Sequence, residues 1–348
     1  MKEEEAVLAW AEKQPWAEGM KNTPQSLPYH NEDVWEHTKM VIRCLPKVPD
    51  WETADQSVLF WAALLHDCAK PETAQWDEET SSWAFPKHSI KGEYKARNIM
   101  AKQGVEFHRR EKICKLIRYH MRIRFALEGH DTNQELAVLS HRTDLKSLCQ
   151  LMYADHIGRN VEVEPPDIHF EIAKDFGFEK CEFAGGEIYR LMAVGYKPYT
   201  TASFNVTLMS GMPCSGKSTW ANQQGLPIVS LDAIRKDLKI KPTDRNGQGK
   251  VAQEAMKKCK QFLRVQESFI FDATNLTKKM RDKWVNMFMR YNARVKIVYV
   301  EVPVDLIFKR NKGKSSPIPE DIITKLYNKI DIPDLTECHE IHYEIGEI

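Results

Sequence analysis

The 348-residue chain is 42% hydrophobic and 28% charged, a composition that excludes a disordered or fibrous protein. No apolar run reaches the roughly 20 residues that carry a helix across a bilayer. The formal charge of +1 hides an asymmetry: 24 Lys/Arg against 17 Asp/Glu from residue 200 onward give +7, and the remainder carries −6. A basic C-terminal half suits an anionic partner, and equally a lysine-rich solvated surface.

In chain order, the acidic opening MKEEEAVLAWAEKQ lacks the apolar core of a signal peptide. The eight cysteines are scattered without a CxxC pair, so neither a disulfide framework nor a zinc knuckle is expected, and a cytoplasmic setting is. Through residue 160 the apolar residues recur at three- and four-residue spacing, as in VWEHTKMVIRCL, SVLFWAALLHDCAK and EKICKLIRYHM, which predicts helices almost throughout. Pro165-Pro166 breaks the pattern. Residues 164–203, with Gly185-Gly186, read as a helical connector with loops. From Phe204 the pattern turns to strand, loop and helix: FNVTLMS, PIVSL, SFIFDATN and an alternating ARVKIVYVEV predict strands separated by helices, the signature of a parallel α/β sheet. The predicted architecture is therefore an all-α domain over 1–163, a connector over 164–203, and an α/β domain over 204–348.

In the first domain, His66-Asp67 follows the apolar run LFWAALL, and a buried imidazole and carboxylate need partners. His37, His88, His120 and Asp155 lie in or beside other apolar-periodic segments. Imidazoles with carboxylates suit one or two first-row divalent ions, and two ions sharing a carboxylate activate water for attack on phosphorus. His30, His108, His130 and His141 read as surface or core histidines.

In the second domain, Gly211-Met-Pro-Cys-Ser-Gly216-Lys217-Ser218 satisfies G-x(4)-G-K-[ST] directly after a predicted strand, the context in which that motif wraps phosphates. Gly211, Ser215, Gly216 and Thr219 complete the expected nucleotide cradle, with Lys217 on the β/γ-phosphates and Ser218 on Mg²⁺. PIVSLDAIRKDL places Asp232 at a helix start and Arg235 one turn later, on one side of it. Such a pair suits a general base and a phosphate-binding fork. An Asp there serves equally as a helix N-cap.

Over residues 204–348 the motifs GMPCSGKS, SLDAIRKDL, FDATNLTKKMRDKW and VPVDLIFKRNKGK resemble the kinase domain of phage-type polynucleotide 5′-kinases. The resemblance implies that Asp232 is the general base and that Arg235 binds the 3′-phosphate of the 5′-terminal nucleotide. Asp272, Thr274 and Asn275 match the family's D-x-[TS]-N. The family lid R-N-x-x-R reads Arg310-Asn311-Lys312-Gly313-Lys314, so Arg310 is the expected clamp on the donor phosphates and Lys314 supplies charge without a planar fork. Over residues 30–160 the ordered series resembles the HD phosphohydrolase superfamily. That resemblance implies His37, His66, Asp67, His88, His120 and Asp155 as metal ligands and Lys70 as a contact to substrate phosphate. The two domains together resemble the bacterial HD-Pnk end-healing proteins. This implies phosphorylation of 5′-OH ends of RNA or DNA with ATP or another NTP and Mg²⁺, and metal-dependent removal of 2′,3′-cyclic phosphate or 2′/3′-phosphate. An RNA ligase is the implied functional partner, and no membrane. The competing reading is an HD nucleotidase for free nucleotides joined to a kinase for a nucleoside or small metabolite.

Overall fold

A computed structural model of the chain describes residues 2–27, 29–129, 132–177, 202, 204–242, 244, 246–314 and 316–346. It divides into two units, residues up to 181 and residues from 182.

Among the described residues the first unit packs nine α-helices: α1 (Lys2–Ala11), α2 (Pro15–Lys21), α3 (Val34–Cys44), α4 (Gln56–Leu65), α5 (His88–Lys102), α6 (Phe107–Glu128), α7 (Thr132–Arg142), α8 (Leu145–Ile157) and α9 (Asp167–Phe176). Four of their starts are fixed by acidic caps. Asp33, Asp55, Glu106 and Asp144 accept from free backbone N–H groups in the first turns of α3, α4, α6 and α8, donors that no helix can satisfy internally. α4 is apolar on every face and runs through the core, where Leu59, Ala62, Ala63, Leu64 and Leu65 are fully buried. It ends at Leu65, so His66 and Asp67 emerge at its C-terminus deep inside the unit.

One feature departs from the helical expectation. A short antiparallel hairpin, β1 (Gln75–Asp77) with β2 (Ser82–Ala84), leads into α5. Three-residue strands carry too little alternation to be legible as a pattern. The connector's first part is α9, which buries Phe170 and Ala173 in this unit's core, and Tyr153 donates to Asp167 at 2.7 Å. Gly185-Gly186 lies outside the described residues.

α5 and α6 are locked by a buried ionic network. Arg97 donates to Glu93 at 2.7 Å and to both oxygens of Glu111, Arg110 donates to Glu111 at 2.8 Å, and Arg118 donates to Glu93 at 2.6 Å. Burial alone would raise the Glu111 pKa; the guanidinium of Arg97 reverses this and holds it low.

The second unit holds a five-stranded, all-parallel sheet in the order β4-β5-β3-β6-β7. The strands are β3 (Asn205–Gly211), β4 (Ile228–Ser230), β5 (Phe269–Asp272), β6 (Arg294–Glu301) and β7 (Glu340–Ile345), with helices α10 (Lys217–Asn222), α11 (Leu231–Asp237), α12 (Gln248–Arg264), α13 (Lys278–Arg290), α14 (Val304–Lys312) and α15 (Glu320–Tyr327) between them. Phe269, Phe271 and Val295 pack with Trp284 and Phe288 on one side, Met209, Ile270 and Val298 with Ala221 on the other. β6 is buried almost throughout rather than alternating, because a strand inside a parallel sheet is covered on both faces. β7, an edge strand reading EIHYEI, carries polar residues and was not expected. The parallel arrangement puts the C-terminal ends of β3, β4 and β5 side by side, where ligands bind in such sheets.

Arg97→Ala takes one of its two arginine partners from each of two buried carboxylates, leaving Arg110 on Glu111 and Arg118 on Glu93, and is expected to cost about 3–5 kcal/mol of stability, read from the urea midpoint. Glu111's share is full above the ordinary carboxyl value of 4.5 and is lost as pH falls through its depressed native value. A loss below about 1 kcal/mol would show that Arg110 and Arg118 suffice to hold the two carboxylates.

Candidate functional sites

In the first unit the chain brings together all six expected metal ligands. Asp67, 1% exposed, stands at the centre. Its Oδ1 lies 3.4 Å from His88 Nε2 and 3.9 Å from His120 Nε2; its Oδ2 lies 3.1 Å from His66 Nε2 and 4.0 Å from His37 Nε2. Asp155 Oδ1 is 2.9 Å from His37 Nε2 and 3.7 Å from His66 Nε2. Two ligand groups result, His37–His66–Asp155 and Asp67–His88–His120, with the two oxygens of Asp67 facing one group each.

The imidazoles are oriented by a repeated device. Nδ1 of His66, His88 and His120 each sits 2.7–2.8 Å from the carbonyl three residues earlier, of Ala63, Phe85 and Ile117. Nδ1 of His37 faces the Gly158 carbonyl at 3.1 Å. A carbonyl only accepts, so each Nδ1 carries the proton and each Nε2 is left to act as a ligand. Gly158 has a second duty: a Cβ there would come within 2.8 Å of the Val41 Cα, so only glycine lets α8 approach α3 closely enough to hold His37.

The cluster fits a divalent cation. His88 Nε2 and His120 Nε2 lie 3.2 Å apart with lone pairs facing one another. His66 Nε2 and Asp67 Oδ1 are buried without a hydrogen-bond partner. Burial, followed by His88 and His66, pushes the His120 pKa down to about 3, and burial first of all lowers that of His88. Burial opposes charge on His37 too, but Asp155 and Glu32 outweigh it and raise its pKa to about 9. For Asp67, burial is reversed by His66 and Lys70, and for Asp155 by His37 and His66, so both are held well below the carboxylate range.

Lys70 lies on a single 3-10 turn rather than on a continuing helix, and its ammonium contacts Asp67 Oδ2 at 2.7 Å. His30 is no bystander. It pairs with Glu32 at 2.8 Å, and Glu32 reaches His37 Nδ1 at 3.4 Å, so the segment before α3 orients a ligand. The sequence offered no signal for this, because His30 and Glu32 match neither motif. His130 lies outside the described residues.

In the second unit, Gly211 ends β3 at φ 141° and Gly216 precedes α10 at φ 104°. A Cβ on Gly211 would fall 2.3 Å from the Val300 carbonyl, so the loop tolerates only glycine there. Lys217 is folded back on the Met212 carbonyl at 2.6 Å. Burial lowers its pKa to about 8 against the pull of Asp272 and Asp232. Ser215 Oγ is buried without a partner, and Thr219 follows Ser218 on α10. Ser218 donates to Asp272 at 2.7 Å. This gives Asp272, matched only as part of a motif in the sequence, a place beside the hydroxyl expected to hold Mg²⁺.

The loop after β5 is stitched under the cradle. Gly211 N–H donates to the Thr274 carbonyl, Asn275 Nδ2 to the Met209 carbonyl and Ser210 to the Asn275 carbonyl. Fully buried Arg281 holds that carbonyl from below while forking onto Glu337 at 2.7 and 2.8 Å.

Asp232 sits in the first turn of α11, but the helix cap is Ser230, which accepts from Ala233 N–H. Asp232 is thus free of capping and 87% exposed, with Arg235 bonded to it. Arg235 Nε is held by Gln248 at 3.0 Å. Arg310 on α14 donates to the Cys214 carbonyl of the cradle at 3.3 Å. Lys314 follows in a loop that Asn311 closes by bonding Ile318.

Elemental analysis after metal loading and dialysis should find up to two divalent ions per chain. Asp155→Ala should lose one, while Asp67→Ala, facing both groups, loses both. Undiminished metal in Asp67→Ala would sink the shared-carboxylate arrangement.

Comparison with known proteins divides the chain the same way. Residues 34–159 match the HD domain and residues 206–327 match an AAA domain. The L-seryl-tRNA(Sec) kinase of Methanococcus maripaludis is 24% identical over 140 residues, 36% of this chain and 52% of that protein. The chain therefore spans about half the length of that curated relative. A sugar kinase from Janibacter sp. HTCC2649 aligns with a TM-score of 0.32 at 16% identity, over 41% of this chain and 85% of that one. A gluconokinase from Sinorhizobium meliloti 1021 aligns with 0.29 at 15%, over 40% and 82%. The chain joins a helical HD domain to a P-loop kinase-like domain built on a five-stranded parallel sheet.

Proposed function

We propose that the chain heals broken nucleic-acid ends. Its P-loop domain transfers the γ-phosphoryl of ATP or another NTP to a 5′-hydroxyl, and its HD domain removes 2′,3′-cyclic phosphate or a 2′/3′-phosphate from RNA. Transesterification of RNA leaves a 2′,3′-phosphate and a 5′-hydroxyl, and a ligase needs the opposite ends, so the two reactions belong together.

The observation that carries this reading is the Asp232–Arg235 pair. Asp232 is released from capping by Ser230, and Arg235, steered by Gln248, lies on the same side of α11. A carboxylate there accepts the proton of an attacking hydroxyl. An arginine beside it suits an acceptor that carries a second phosphate next to that hydroxyl, as every polynucleotide 5′-end does. Lys217, Arg310 and Lys314 surround the donor phosphates in this reading, and Ser218 with Asp272 holds Mg²⁺. In the HD domain the six ligands hold the metal, which when bound supplies an activated water and neutralises phosphate charge. Lys70 adds a cation for the substrate phosphate, and the i−3 carbonyls keep the imidazoles aligned. The similarity to a kinase named for a tRNA-linked substrate favours an RNA-borne hydroxyl as acceptor.

Incubation with RNA bearing 5′-OH and 2′,3′-cyclic phosphate ends, with and without ATP, reads both reactions. Lys217→Ala should abolish phosphorylation and spare the phosphoesterase, with Asp67→Ala doing the reverse. Arg235→Ala should lose roughly tenfold to over a hundredfold in kinase efficiency on a 3′-phosphorylated acceptor and little on a plain nucleoside. An equal proportional loss on both would place Arg235 on the donor side and favour the small-molecule kinase reading.

A further inference from the structure

Three buried polar atoms around Lys70 and the HD doublet lack a hydrogen-bond partner: His66 Nε2, Asp67 Oδ1 and Gln25 Nε2. The first two carry lone pairs and belong to the metal-competent groups. The third does not fit that explanation, since an amide NH₂ only donates and has nothing to offer a cation. Gln25 lies in the segment between α2 and α3, in neither motif of the chain.

Its orientation is dictated by Lys70. The ammonium contacts Asp67 Oδ2 at 2.7 Å and donates to Gln25 Oε1 at 2.6 Å. An ammonium has no lone pair, so the amide oxygen must face it, and the NH₂ group is turned to the other side. Leaving that buried donor atom unsatisfied is unfavourable. Among the described residues nothing accepts from it, and a group that satisfies it brings an oxygen lone pair to the neighbourhood of a lysine.

We propose that Gln25 is a substrate-binding residue of the HD site, donating through Nε2 to a non-bridging oxygen of the phosphoester while its Oε1 aims Lys70 at the same group. The inference rests on the phosphoesterase reading of that domain and adds a residue that neither motif contains. One side chain serves both ends of the contact: its oxygen orders the cation, and its NH₂ group meets the anion.

Gln25→Glu separates this role from mere anchoring of Lys70. The carboxylate is a better acceptor for the ammonium, so Lys70 stays held, but both donors are replaced by an anionic oxygen that repels phosphate. The full-length, manganese-loaded protein is titrated with inorganic phosphate by calorimetry and assayed on a nucleoside 2′,3′-cyclic phosphate, with metal content and melting temperature as controls. Gln25→Glu should weaken phosphate binding and raise KM at least tenfold at unchanged metal content. If the glutamate lowers the melting temperature, Gln25→Met, apolar and of similar reach, takes its place; it removes the anchor of Lys70 as well as the donor, so its loss is compared with that of Lys70→Met and should exceed it. Wild-type phosphate affinity and KM in a folded, metal-replete variant would overturn the inference and leave Gln25 as an anchor. Failure of the wild type to hydrolyse any phosphoester would instead defeat the phosphoesterase reading.

Discussion

The first unit is organised around one buried carboxylate. Asp67 is almost wholly removed from water, and an isolated charge there would cost several kcal/mol. The unit answers with four imidazoles and a lysine drawn from α3, the end of α4 and the turn after it, the start of α5, and α6, with Asp155 of α8 closing the far side. The helix order follows from that demand. α4 is apolar on all faces because its end must lie deep enough to place Asp67, and the ionic network between α5 and α6 fixes the two helices that bear His88 and His120. The i−3 carbonyl contacts make three imidazoles locally self-orienting, so the tertiary fold need only set where each backbone lies. His37 is the exception. Its carbonyl comes from Gly158, and the glycine there lets two helices touch.

The second unit meets a different constraint, the need to leave backbone N–H groups and a lysine poised for an anion that the chain itself lacks. Glycines at 211 and 216 adopt the positive φ that the loop requires. Lys217 meanwhile rests on a loop carbonyl, and Ser218 on Asp272. Such a loop does not hold itself. Asn275, Arg281 and Glu337 brace it from beneath, in contacts that stretch from residue 209 to residue 337. Glu337 lies next to the edge strand β7, so a segment far from the cradle in sequence bears on its shape.

Both units set their candidate-site groups at the end of a buried element: His66-Asp67 after α4, and Gly211, Ser230 and Asp272 at the ends of β3, β4 and β5. In each, the buried element is rigid and the chemistry lies on the turn that follows, the arrangement by which scaffolds hold functional loops. The Asp232–Arg235 turn follows the same rule. Register sets Ser230 opposite Asp272, so the helix cap and the carboxylate beside Ser218 are neighbours, and Asp232 and Arg235 project from the turn just beyond them.

What the sequence determined by itself was whatever is local or ordered. The strand–loop–helix of the P-loop is one contiguous stretch whose tight turns its own glycines permit. The helical character of the first 160 residues follows from three- and four-residue periodicity, and the six histidine and aspartate positions stand out as polar residues in apolar segments. The tertiary structure alone decided which partner each would meet. Nothing in the spacing says that Asp67 turns one oxygen to His88 and His120 and the other to His66 and His37. Nor does it say that Ser230 rather than Asp232 caps α11, because a cap depends on where the helix begins. His30, Glu32 and Gln25 were illegible for a further reason: they sit in an irregular segment between α2 and α3, where no periodicity marks a face, and their roles come from contacts with Lys70 and His37. β7 and the β1–β2 hairpin were missed on the same ground, since a polar edge strand and three-residue strands are defined by the neighbours they pair with.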